Sequence, residues 1–121
     1  MEKYWENEIT DLYEGISFKF DKINPIDHIN LVTFDTKGLS KDVDNGPDKA
    51  SADFIKACFR YIKWNKGSGW FNVLDDNGNA RLPELDEHPS LLLDLFIKFR
   101  TEVLLPVFIE SKTFQDILQT K

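Results

Sequence analysis

Apolar and polar residues alternate most cleanly near the start of the chain. Ile16, Phe18 and Phe20 are separated by Ser17 and Lys19, a period of two that predicts a strand over residues 15–22 with one apolar face. Glu14-Gly15 suits a hairpin turn that would pair this strand with residues 9–13. Trp5, Ile9 and Leu12 also fit a short helix, so both readings stand for that segment. The period then lengthens. Asn24-Pro25 combines a capping residue with a proline at the first helical position. The helix it opens is expected to run to about Phe34, burying Ile26, Ile29 or Asn30, and Phe34.

Residues 39–49 form a loop rich in Asp, Asn, Gly and Pro. A helix is expected from Pro47 or Asp48 to Asn65, with Phe54, Ile55, Cys58, Phe59 and Ile62 as its apolar stripe and Gly67 and Gly69 as its stop. Trp70, Phe71, Val73 and Leu74 read as a short strand. The turn Asp76-Asn77-Gly78-Asn79 would return it through Ala80-Arg81-Leu82, making a small hairpin near 70–82.

His88-Pro89 opens the longest helix. Its apolar residues, Leu91, Leu92, Leu93, Leu95, Phe96, Phe99, Val103 and Leu104, cover more than one face. That width suits a helix packed on two sides or facing a partner. Pro106 has no N–H to bond residue 102 and crowds its carbonyl, so a kink or break is expected there. Val107, Phe108 and Ile109 carry apolar surface past it. Thr113 with Asp116 resembles a capping box for a last helix over residues 114–119. The expected fold is α+β and mostly α: four to five helices, a short N-terminal strand or hairpin, and a small hairpin near 70–82. It would form one domain over residues 1–121, with residues 1–14 either part of it or a flexible, separate N-terminal element.

Composition narrows the class. The chain has 121 residues, one Cys, ten Phe, three Trp and three Tyr, and a net charge of -6. No apolar run approaches the ~20 residues of a membrane helix, and the opening residues are polar and acidic rather than a secretory leader. A single Cys excludes an internal disulfide framework and Cys-based zinc binding. A soluble, cytoplasmic protein is expected. Residues 1–48 hold 11 acids against 5 bases, residues 49–80 hold 5 bases against 3 acids, and the remainder 7 acids against 5 bases. Lys56, Arg60 and Lys63 fall at helical spacing and would line one solvated face. Their number is too small for a nucleic-acid surface, so neither nucleic acid nor membrane is expected as a partner.

Catalysis requires nucleophiles, bases or metal ligands that converge. His28 lies mid-helix, His88 lies at a helix start, and Cys58 lies on an apolar stripe, where a buried, unreactive thiol is expected. Asp42, Asp44 and Asp48 surround Gly46, and Asp75, Asp76 and Asn79 surround Gly78. A calcium loop of the EF-hand type with either glycine at its sixth place would begin at Lys41 or Val73, so both registers fail and turn chemistry explains both clusters. Gly67-Ser68-Gly69 falls short of a phosphate-binding loop. No catalytic, cofactor-binding or metal site is expected, and the chain is not read as an enzyme. The aromatic excess remains. Core packing accounts for most of the Phe residues, while Trp5, Trp64, Trp70, Phe108 and Phe114 fall at element ends, where aromatic groups anchor partners.

A resemblance follows from the order of the segments. Lys22-Ile23-Asn24-Pro25 leads into a helix and a polar loop. The helix Ala52-Asp53-Phe54-Ile55-Lys56-Ala57-Cys58-Phe59 comes next, then Gly69-Trp70-Phe71-Asn72-Val73, Leu85-Asp86, and a Leu-rich helix ending Val103-Leu104-Leu105-Pro106-Val107-Phe108. Over roughly residues 16–110 the chain resembles the tail assembly chaperones of long-tailed bacteriophages. The acidic first 14 residues and the loop at 39–49 depart from that pattern. The resemblance implies a protein that coats the long, largely helical tape-measure protein before the tail tube polymerises around it. It also implies action in the host bacterial cytoplasm and absence from the mature virion. The partner would be apolar helical segments of the tape-measure protein, with self-association left open. A Phe-rich groove could hold such a helix, and Trp70, Phe96, Phe99, Val103 and Phe108 are the candidate contacts. The alternative is an acidic inhibitor or immunity-type protein that binds a basic toxin or nuclease, motivated by the charge of residues 1–48.

Overall fold

Residues 3–39, 49–112 and 115–116 are described by the structure, a computed structural model. After a 3-10 turn at Tyr4–Glu6, strand β1 (Glu8–Tyr13) runs into β2 (Ile16–Phe20). The turn between them needs Gly15, whose φ of 83° lies in the left-handed region that glycine enters without a Cβ clash. β2 pairs on its other edge with β3 (Ile62–Asn65), and β3 pairs with β4 (Phe71–Asn72). The result is an antiparallel sheet in the order β1-β2-β3-β4. Its register sets Ile9, Phe18, Trp64 and Phe71 in one row across the four strands and Glu8, Lys19, Lys63 and Asn72 in the next. Successive side chains point to opposite faces of a strand, so one face is apolar and the other polar.

The helices are α1 (Pro25–Leu39), α2 (Lys49–Phe59), α3 (Pro83–Glu87), α4 (Pro89–Phe99) and α5 (Leu105–Glu110). A π-helical turn, Arg100–Leu104, joins α4 to α5 without a break. Phe18, Cys58, Ile62, Val73, Leu82, Leu85, Leu95 and Phe99 are fully buried. Aromatic rings tie the parts together at geometries that rings favour. Phe20 of β2 meets Phe99 of α4 edge-on at 5.4 Å. Phe54 of α2 stacks on Phe34 of α1 at 4.9 Å and meets Phe96 of α4 edge-on at 6.0 Å. Among the described residues, no helix is long and apolar enough to cross a membrane.

This architecture corrects the mostly helical fold expected above, with its short N-terminal hairpin and a separate small hairpin near 70–82. The N-terminal hairpin and the mid-chain strands belong to one four-stranded sheet. The second helix ends at Phe59, six residues early, because Ile62–Asn65 pairs with β2. The Asp21 N–H donates to the Tyr61 carbonyl at 2.7 Å just before that ladder begins. Near 70–82 only Phe71 and Asn72 join the sheet, and Leu74 and Ala80 make one isolated bridge. Lys63 therefore shares no helix face with Lys56 and Arg60; it sits on a strand, 3.6 Å from the Asp21 carboxylate.

α1 extends past Phe34 to Leu39, and its buried side is not the one expected: Ile26 and Ile29 are 66% and 55% exposed, while Leu31 is buried. Nor does Pro106 break the chain. It takes the second position of α5, and the Leu105 N–H reaches back five residues to the Arg100 carbonyl, the bonding of a π turn. The expected clusters around Gly46 and the expected cap at Thr113 with its helix lie outside the described residues, apart from Gln115 and Asp116, which are helical.

Candidate functional site

Polar groups with catalytic potential are occupied structurally. Cys58 is fully buried, and burial first, then the Asp35 carboxylate, pushes its thiol up to about 12. His28 donates from Nε2 to the Val103 carbonyl at 2.7 Å, pinning α1 to the π turn. His88 lies 3.4 Å from the Tyr13 hydroxyl. The Tyr4 hydroxyl accepts from the Ile23 N–H at 3.0 Å, and burial raises its pKa. Asp75 Oδ1 accepts the N–H groups of Asn77 and Asn79, an Asx turn. Glu84 takes the Lys66 ammonium at 2.7 Å, which holds its carboxyl below the usual range. Among the described residues, no three His, Cys, Asp or Glu side chains are grouped to hold a metal ion.

The distinctive surface is apolar. His28, Leu31, Val32 and Asp35 share one face of α1 at helical spacing, and α1 packs against the π turn and α5. Arg100 clamps Asp35 at two points, Nη2 to Oδ1 at 3.0 Å and Nε to Oδ2 at 3.3 Å, the bidentate geometry that suits a guanidinium. Beside this pair lies a cavity of about 320 Å³ walled by Val32, Ile97, Leu104, Leu105 and Phe108, with Thr101 also lining it. Leu91, Leu95, Phe99 and Val103 supply the buried stripe of the α4 helix. Leu93, Ile97, Leu105 and Ile109 form a second apolar stripe at multiples of four residues, and each is 43–57% exposed. Together with Ile26 and Ile29 on α1, these side chains leave much apolar area uncovered on the helical side.

The expected contact residues do not assemble into one surface. Phe99 and Val103 are core residues, 0% and 1% exposed, which corrects their assignment as partner contacts: they line the inward stripe facing the sheet. Phe96 is half-buried among Phe54, Phe59 and the Arg100 guanidinium. Trp70 is half-buried next to the sheet, with the Lys19 ammonium 4.5 Å from its ring centroid. Phe108 alone of the five lines the cavity. The exposed residues that sequence reasoning missed carry a signal in retrospect. Once 91, 95, 99 and 103 are assigned inward, 93, 97, 105 and 109 form a parallel stripe on the outside. Comparison with protein-family models, curated proteins and solved structures finds no match.

Proposed function

We propose that this protein is a phage tail assembly chaperone that binds apolar helical segments of the tape-measure protein and keeps them soluble until the tail tube encloses them. The reading makes it a binding protein rather than an enzyme, acting in the host cytoplasm and left out of the virion. The observation that supports it is the exposed apolar stripe Leu93, Ile97, Leu105 and Ile109 alongside the cavity between α1 and α4–α5. Large exposed apolar patches mark interaction sites, and an amphipathic helix laid in a groove is a recurring way to cover one. The resemblance over residues 16–110 supplies the identity of the partner. A net charge of -6 would keep the loaded complex in solution.

Co-expression with a tape-measure protein tests this. The expected result is a soluble complex that co-purifies, with the tape measure insoluble when expressed alone. A tape measure that stays insoluble and unbound would overturn the reading. Tight, salt-sensitive binding to a basic nuclease or toxin, insensitive to changes in the apolar stripe, would instead favour the acidic inhibitor.

A further inference from the structure

The exposed stripe has a gap. At the position between Ile97 and Leu105, four residues from each, stands Thr101, whose short side chain lines the cavity instead of filling it. The π turn adds space at the same place, since it winds the backbone more widely than an α-helix, and such turns recur at functional sites. The cavity, at about 320 Å³, is roughly twice the ~150 Å³ of an apolar cavity that holds benzene. Its walls are aliphatic and aromatic, with one neutralised ion pair, Asp35–Arg100, at its border.

The charges around it are unbalanced. The helical segments α1, α4, the π turn and α5 carry Asp27, Asp35, Asp94, Glu102 and Glu110 against Lys37, Lys98 and Arg100. An apolar groove in an acidic frame, on a chain of net charge -6, is complementary to an apolar helix face with basic flanks.

We infer that the notch at Thr101 is an anchor pocket, which takes one Phe or Trp side chain from an amphipathic partner helix flanked by Lys and Arg. This rests on the helix-binding reading above and specifies its partner. The anchor fills the notch, and residues three and four positions away on the partner helix lie on Ile97 and Leu105. Buried aromatic anchors of this kind dominate the energy of such interfaces.

Fluorescence anisotropy with synthetic helical peptides tests the pocket. The probe is an amphipathic peptide with one central Phe and Lys/Arg flanks. Replacing that Phe by Ala is expected to weaken binding at least tenfold. Replacing the flanks by Glu is expected to weaken it further and to remove its salt dependence. Thr101→Trp fills the notch from an exposed position, so the melting temperature should hold while peptide binding is lost. Equal binding by wild type and Thr101→Trp, or by the Phe and Ala peptides, would overturn the pocket. A concentration-dependent dimer that Thr101→Trp dissociates would also overturn it, because a second copy would then be the occupant. If Thr101→Trp still solubilises the tape-measure protein, the pocket fails and the chaperone reading stands. If the peptide binds through the notch but the tape measure is neither bound nor solubilised, the pocket stands and the chaperone reading fails.

Discussion

At the scale of single residues, environment sets chemistry. The Cys58 thiol ionises near 9.0 when unfolded and only at about 12 in the fold. Above pH 9 the unfolded chain releases a proton that the native chain retains, so this contribution to stability is complete below pH 9 and is lost as pH rises towards 12. Cys58 should therefore react with an aromatic disulfide reagent at pH 8 only as fast as the protein opens; complete labelling of the native protein within seconds would contradict its burial. Glu84 has the opposite sign. Lys66 lowers its pKa, so its contribution is present above the unfolded value and disappears as pH falls through the folded one. Lys66→Met should cost under about 1 kcal/mol at pH 7, as the ammonium is partly exposed, and the difference from wild type should vanish in acid urea titrations. Phe99 is fully enclosed with its ring against Phe20. Phe99→Ala should lower stability by about 3–5 kcal/mol in urea unfolding through loss of packing and the cavity left behind, whatever its effect on a partner.

Elements show where local pattern and long-range pairing disagree. Ile62 follows Cys58 and Phe59 at helical spacing, which is why it reads as the end of α2. Yet Ile62-Lys63-Trp64-Asn65 also alternates, much as Phe18-Lys19-Phe20 does. The open edge of β2 decides between the two, because four residues there gain cross-strand partners that a helix could not supply. α1 illustrates the same point for a face. Its polar residues His28 and Asp35 point inward because Val103 and Arg100 offer them partners, and Ile26 and Ile29 are displaced to the surface. His28→Ala should cost about 1 kcal/mol, the worth of one hydrogen bond, and should raise amide exchange selectively in α1. Unchanged exchange there would mean that His28 does not hold the helix.

For the whole molecule, the sheet presents a polar face outward and packs its apolar face against helices that have apolar residues to spare. Most of the Phe excess is consumed as core between sheet and helices, with Phe18, Phe20 and Phe99 the most buried. The surplus that remains outside is aliphatic. Ile97→Glu, at a half-exposed position, should change stability by no more than about 0.5 kcal/mol, as surface substitutions do, while abolishing co-purification with the tape-measure protein. Retained co-purification would move the interface off this helix. The hairpin turn at Gly15, the helix starts at Pro25 and Pro89 and the buried thiol were all legible in the chain. The apolar width of the α4 helix was legible too, but not which of its residues lay outside, so the candidate contacts mixed Phe99 and Val103 from the core with Phe108 from the cavity.

The sequence by itself determined the local quantities: alternation in β2, turn chemistry at Gly15, and the proline-marked beginnings of α1 and α4. These follow from steric and hydrogen-bonding preferences of neighbouring residues. Only the tertiary structure decided where α2 ends, which side of α1 is buried and how the chain passes Pro106. Each of those depends on groups far away in sequence: β2 for Ile62–Asn65, Val103 for His28, Arg100 for Asp35. Periodicity records that a helix has apolar residues to bury, but the inward face goes to the side where distant partners satisfy both its apolar and its polar groups.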